Sequence, residues 1–168
     1  MNTLYAPWRT EYIKRRKIKR CLFCRIAKDK RDKENFVFLR SKYFFSMLNL
    51  YPYNAGHTMI SPYRHIKDTL SLKSPQEIGD LISTLNRTLR LLNETLRPEG
   101  YNIGINLGEI SGAGIPDHFH IHVVPRWKAD TNFMPVISDT KIVSQSLDSL
   151  YRDLIRCRSI LERQKNKC

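Results

Sequence analysis

Apolar positions along this chain change period several times, and each change marks an element. Phe36 to Leu39 and Tyr43 to Leu48 are aromatic and apolar runs of strand length, joined by the hairpin-like Arg40-Ser41-Lys42. Tyr51-Pro52-Tyr53-Asn54-Ala55-Gly56 is turn chemistry, and His57 to Ile60 resumes a strand that Pro62 ends. A helical period then takes over. Ile78, Leu81, Ile82, Leu85, Leu89, Leu92 and Leu96 recur at helical spacing behind Ser74-Pro75-Gln76-Glu77, which supplies a cap residue, a proline at the first helical position and a glutamate three residues after the cap. Pro98 and Gly100 close that helix. Tyr101 to Leu107 and His118 to Val124 predict two more strands, separated by a loop containing Gly108, Gly112 and Gly114. From about Ser144, Leu147, Leu150, Tyr151, Leu154 and Leu161 mark a second amphipathic helix. Lys28 to Glu34 is charged and reads as a loop, and Pro7 with Trp8 opens a short helical stretch near the start. The class is α+β.

Length and charge narrow this picture. At 168 residues the chain holds one domain's core. No run approaches the roughly 20 apolar residues of a membrane helix. Met1-Asn2-Thr3-Leu4 lacks the charged-then-apolar layout of a signal peptide, so a cytoplasmic protein with no membrane partner is expected. The net charge of +13 is strongly basic, the footprint of phosphate-backbone binding. Its distribution weakens that reading. Residues 1–20 hold seven Lys/Arg against Glu11, and residues 152–168 hold six against Asp153 and Glu162, so only +3 falls on residues 21–151. We divide the chain into a basic N-terminal extension (1–20), a chemistry-bearing domain (21–137) and a C-terminal helix with a basic tail (138–168). The basic ends are either a nucleic-acid contact or solvated arms.

The candidate chemistry lies in the middle stretch. All five histidines fall in two short segments: His57 and His65 around Ile60-Ser61-Pro62, and His118, His120 and His122 in alternation. On a strand, residues two apart share a face about 6.6 Å apart, so the three imidazoles form a row opposite Phe119, Ile121 and Val123. Cys21 and Cys24 form a close pair, which in a reducing compartment points to a metal or redox site rather than a disulfide framework. Cys157 and Cys168 have no spaced partner.

His118-Phe119-His120-Ile121-His122-Val123-Val124 fits the His-apolar-His-apolar-His-apolar-apolar signature and resembles the histidine triad superfamily of nucleotide hydrolases and transferases. Leu4 to Arg9, Asn49 to His57, Ser61 to His65, Gly112 to Pro116 and Asn132-Phe133-Met134 are similar to its bacterial diadenosine tetraphosphate phosphorylase branch, over most of residues 4–137. The resemblance implies an antiparallel sheet with a long helix packed on it and a C-terminal helix, and a homodimer. It implies nucleotidyl transfer from a dinucleoside polyphosphate to inorganic phosphate. A neutral imidazole can attack phosphorus and divide one hard displacement into two. The middle of the row suits this best, and the resemblance gives the same role to His120, with His122 on the phosphate or leaving group. Backbone N–H groups of the loop ending Gly112-Ala113-Gly114 suit equatorial phosphate oxygens. By similarity, Asn106 contacts phosphate and Asn49 the ribose. Cys21-x-x-Cys24, His65 and His118 make a two-sulfur, two-nitrogen set that in this superfamily resembles a structural zinc site, one ion per chain.

Two alternatives keep the fold: water as acceptor makes a hydrolase, and a phosphoramidase is the other, though Ile115 stands where that branch usually has Ser. Ala129 stands where related sequences often show Gly. His57 receives no catalytic role.

Overall fold

A computed structural model describes residues 21–131 and 145–165. The N-terminal extension, Ser144, Cys168 and the Asn132-Phe133-Met134 phrase lie outside the described residues.

Five strands form one antiparallel sheet in the order β1-β2-β3-β5-β4, with β1 at Val37–Arg40, β2 at Phe44–Leu48, β3 at Thr58–Pro62, β4 at Gly100–Ile105 and β5 at Ile121–Arg126. Alternation sorts β2 onto two faces. Phe44 and Leu48 join Ile60, Phe119, Ile121 and Val123 in the main core, while Phe45 and Met47 join Val37 and Met59 on the other side.

Two helices cover the main core. The long helix, α2 at Pro75–Leu96, starts as its residues dictate: Ser74 Oγ accepts from the Glu77 N–H at 3.1 Å, with Pro75 at the first turn. It buries Leu81, Leu91 and Leu92 against the sheet. It ends at Arg97, whose φ of 47° makes it a left-handed cap ahead of Pro98. The C-terminal helix, α3 at Leu147–Lys165, adds Leu150, Tyr151 and Leu154 to that core, with Cys157 packed against it.

The opposite face carries an element that the apolar pattern did not mark. Helix α1, Leu22–Lys28, begins at Cys21 with no side-chain cap and buries Phe23 and Ile26. A single turn of 3-10 helix, Thr69–Ser71, also goes beyond the expected set; Asp68 caps it. The strand expected over His118 to Val124 is a correction. Its ladder begins only at Ile121, because the chain carrying His118 to His120 bows toward β3 and is held there by the Phe119 N–H on Ile66 O at 2.6 Å and the Ser61 hydroxyl on Phe119 O at 3.3 Å. Pro62 is the last residue of β3 and not a break before its end. The pairing of β3 with β5 puts Met59 opposite His122, and β4 puts Gly104 there from the other side.

Candidate functional site

The histidines line up on the face away from α2 and α3, and the bow in the chain gives each a different task. His118 is buried, and its Nε2 donates to the Pro62 carbonyl at 3.1 Å. A carbonyl only accepts, so Nε2 carries the proton and the lone pair sits on Nδ1. Burial, the largest cause, pushes the His118 pKa down to about 4.

That lone pair meets three others. His118 Nδ1 lies 3.2 Å from Cys21 Sγ, 3.5 Å from Cys24 Sγ and 3.2 Å from His65 Nδ1, with Cys24 Sγ 3.2 Å from His65 Nδ1. All four ligand atoms lie within 4.8 Å of one another. Four soft or borderline donors converging this closely could hold a metal ion. The helix α1 supplies both sulfurs because Cys21 is its N-cap and Cys24 lies one turn on.

His120 is buried, and its Nδ1 donates to the His118 carbonyl at 2.8 Å. The remaining nitrogen, Nε2, therefore holds a lone pair. Burial lowers its pKa from the usual imidazole value, so the ring stays neutral. Phe23 of α1 packs on it, ring centroids 4.9 Å apart, and His122 stands edge-on at 4.9 Å.

His122 is part of a directed chain. The Tyr53 N–H donates to His57 Nδ1 at 3.0 Å, so His57 Nε2 carries a proton and donates to His122 Nδ1 at 2.9 Å. The neutral His122 ring then has its own proton on Nε2. His57 is fully buried, and the sequence gives it no catalytic role, only a place beside the triad or at a strand end. Its two segments are 65 residues apart, and only the pairing of β3 with β5 joins them.

His120 and His122 stand at the wall of a cavity of about 560 Å³ that is otherwise mostly apolar, built from Leu22, Phe23 and Ile26 of α1 over Met47 and Met59. Asn49 lines it, its Oδ1 accepting from the Tyr51 N–H at 2.9 Å and its amide facing His57 Nδ1 at 3.3 Å. Gly112 and Gly114 line it too. Gly112 has a φ of 85°, a left-handed conformation that favours glycine, and its N–H donates to the Glu109 carbonyl at 3.0 Å. Two expected contacts fall elsewhere. Asn106 is half-buried just past β4, and neither it nor Ala113 is part of the cavity wall.

The loop after β5 is tied back to this site. Asp130 accepts from Arg126 Nε and Nη2 at 2.5 and 3.0 Å and from the Asn54 amide at 2.8 Å. Asn54 O accepts from the His57 N–H at 3.1 Å. Ala129 has a φ of 60°, which accounts for the glycine preference in related sequences.

Comparison with known proteins places this geometry. The HIT domain family model matches residues 30–129. The chain is 40% identical over 116 residues to an AP-4-A phosphorylase of Mycobacterium tuberculosis, covering 69% of this chain and 59% of that protein. It is 31% identical over 116 residues to an asymmetrical bis(5'-nucleosyl)-tetraphosphatase of Schizosaccharomyces pombe, covering 68% of this chain and 63% of the relative. In both cases the match spans less than two thirds of the relative's length. A Zn-bound histidine triad family protein from Mycobacterium smegmatis has the same fold, with a TM-score of 0.66, 24% identity and coverage of 86% of this chain and 96% of that one.

Proposed function

The chain belongs to the HIT domain family, and on that footing we propose that it cleaves dinucleoside polyphosphates, diadenosine tetraphosphate among them, by nucleotidyl transfer through a nucleotidyl-His120 intermediate to inorganic phosphate. The observation that carries this is the His120 ring: neutral, buried, and fixed by the His118 carbonyl so that Nε2 offers its lone pair at the wall of the cavity.

In the first step Nε2 attacks the phosphorus of one nucleotidyl group. The N–P bond forms, the P–O bond to the departing nucleotide breaks, and that oxygen keeps the electron pair. His122, with its proton on Nε2, donates a hydrogen bond to the leaving oxygen and stabilises its charge. In the second step an oxygen of inorganic phosphate attacks the same phosphorus, and the pair returns to Nε2. Diadenosine tetraphosphate and phosphate thus become ATP and ADP. Asn49 suits the ribose, and Gly112 and Gly114, which line the cavity, the side of the phosphate oxygens.

Zinc fits the Cys21, Cys24, His65 and His118 cluster. Ordinary Zn–S and Zn–N lengths in a tetrahedron give ligand separations of about 3.3–3.8 Å; four of the six ligand pairs lie 3.2 to 3.5 Å apart, and all six within 4.8 Å. The ion would supply a cross-link between α1 and the nucleophile's segment, since His118 offers its ring to the cluster and its carbonyl to His120. Metal analysis should find about one zinc per chain, falling sharply in Cys24→Ser; a metal-free protein with full turnover would refute the site.

A homodimer belongs to the same reading. Strand β4 is an outer strand of the sheet and leaves Ile103 and Ile105 exposed. Sedimentation analysis should give twice the chain mass. Reduced thiols suit a cytoplasmic setting, and no helix among the described residues is long and apolar enough to cross a membrane.

The test is incubation with diadenosine tetraphosphate with and without phosphate. ADP plus ATP only when phosphate is present supports phosphorolysis. ATP plus AMP without it makes the chain a hydrolase, the activity in the name of the fission-yeast relative. His120→Asn should abolish turnover, and an active variant would remove the nucleophile.

A further inference from the structure

The layer behind the sheet carries side chains that the proposed reaction does not use. Arg87 and Arg90 of α2 and Arg158 of α3 converge on a cleft of about 50 Å³, floored by Leu91 and Leu161 and faced by Glu162. No residue of this cleft lines the histidine cavity. The two lie on opposite faces of the sheet, because α2 and α3 pack on the side that Ile121 and Val123 face.

Three guanidinium groups here share a single carboxylate. Arg158 is anchored: its Nη1 donates to the Phe38 carbonyl at 2.7 Å, and its Nε is buried with no hydrogen-bond acceptor. Glu162 Oε1 stands 3.8 Å from that Nε, too far to accept from it. Arg87 and Arg90 have no ion pair or hydrogen bond among the described residues. Like charges gathered in one cleft repel, and apolar walls strengthen both that repulsion and the attraction of an anion that relieves it. Guanidinium forks match the edges of a tetrahedral oxyanion. The volume equals roughly four water-sized spheres, which suits one such group.

We infer that the cleft between α2 and α3 is a binding site for a phosphate-class oxyanion, separate from the catalytic cavity. Arg158 is its fixed wall, while Arg87 and the exposed Arg90 close on the ion from α2. The ligand is a free phosphate or the terminal phosphate of a small molecule. A nucleic-acid backbone is a different partner, distinguished by the test below.

The experiment follows the Arg side-chain Nε–H resonances by NMR as inorganic phosphate is added at constant ionic strength. A saturable shift of the Arg158 Nε–H is expected, with no comparable shift from chloride. The Arg87→Ala, Arg90→Ala pair should weaken that binding about tenfold or more, equivalent to one strong charge-assisted contact. Turnover of the dinucleotide should stay within about twofold of the parent. If the pair does not fold, Arg90→Gln at its exposed position gives the same reading with a smaller loss. An unmoved Arg158 resonance, an equal response to chloride, or unchanged binding in the folded variants would each overturn the site. A single-stranded oligonucleotide that moves Arg158 at lower concentration than phosphate, with a steep salt dependence, would overturn the small-anion assignment in favour of a nucleic-acid surface.

Discussion

His57 does not line the histidine cavity, yet on the proposed function the geometry gives it control over the proton that His122 turns to the leaving oxygen. It accepts from the Tyr53 N–H at 3.0 Å and donates to His122 Nδ1 at 2.9 Å, which keeps the His122 proton on Nε2. Replacing it by leucine removes one neutral hydrogen bond's preference for that tautomer, about 0.5–1.5 kcal/mol. By RT of about 0.6 kcal/mol that is a roughly 2- to 13-fold shift in the tautomer ratio. The rate constant kcat for dinucleotide cleavage should fall by up to about tenfold, while KM stays within about twofold because His57 is not part of the cavity wall. His57→Gln should recover much of the loss, since its amide can both accept from Tyr53 and donate to His122. The leucine substitution also leaves the Tyr53 N–H and the Asn49 amide in need of partners, at about 1–3 kcal/mol of stability. Urea unfolding must therefore show each variant folded at the assay temperature. A leucine variant with wild-type kcat, or a glutamine variant no better than leucine, would refute the reasoning.

Three further outcomes concern the frame around the site. Ala129→Gly should raise stability by about 0.5–1 kcal/mol, because a residue with a Cβ is strained at a φ of 60°; a lower urea midpoint would count against it. Gly56→Ala should cost about 2–4 kcal/mol, since Gly56 has a φ of 75° and a Cβ there would lie 2.4 Å from Leu96 Cδ1 and 3.1 Å from Pro125 Cγ; unchanged thermal unfolding would contradict that packing. Arg126 and its neighbours hold the Asp130 carboxyl at about 2, below its usual 3.8. That contribution is present above pH 4 and fades as pH falls toward 2, so Asp130→Asn should lose about 1 kcal/mol at pH 7 after solvent screening. The gap from the parent should narrow between pH 4 and pH 2 and should not be constant.

What could be read from the residues was what local spacing encodes. The capped start of α2 at Ser74 and the turn before His57 depend on neighbours within a few positions and stand where expected, whereas of the alternating histidines only His122 lies on the expected strand. The four metal-ligand candidates from distant segments also converge as the family resemblance implied. Helix α1 was not legible. It has seven residues, no side-chain cap and no acid in its first turn, and its burial of Phe23 and Ile26 depends on a sheet face supplied from elsewhere in the chain. The His57 to His122 bond was hidden for the same reason, as strand register sets it. The loop amide of Gly112, expected to be aimed at phosphate, donates to Glu109 in a turn that the glycine permits but its spacing does not specify.

Strand β5 is paired along both sides, with β3 and with β4, whereas the cavity wall facing it is the short, uncapped α1. Backbone opening should therefore follow a gradient across the site. The amides of β5 would exchange with solvent only in near-global unfolding, and those of α1 in much smaller fluctuations. On the proposed function, a substrate would enter by loosening that wall while β5, which directly follows His120, stays in place. On heating, or on replacement of Cys21 and Cys24, the proposed nucleotide binding would be lost while the sheet was still folded.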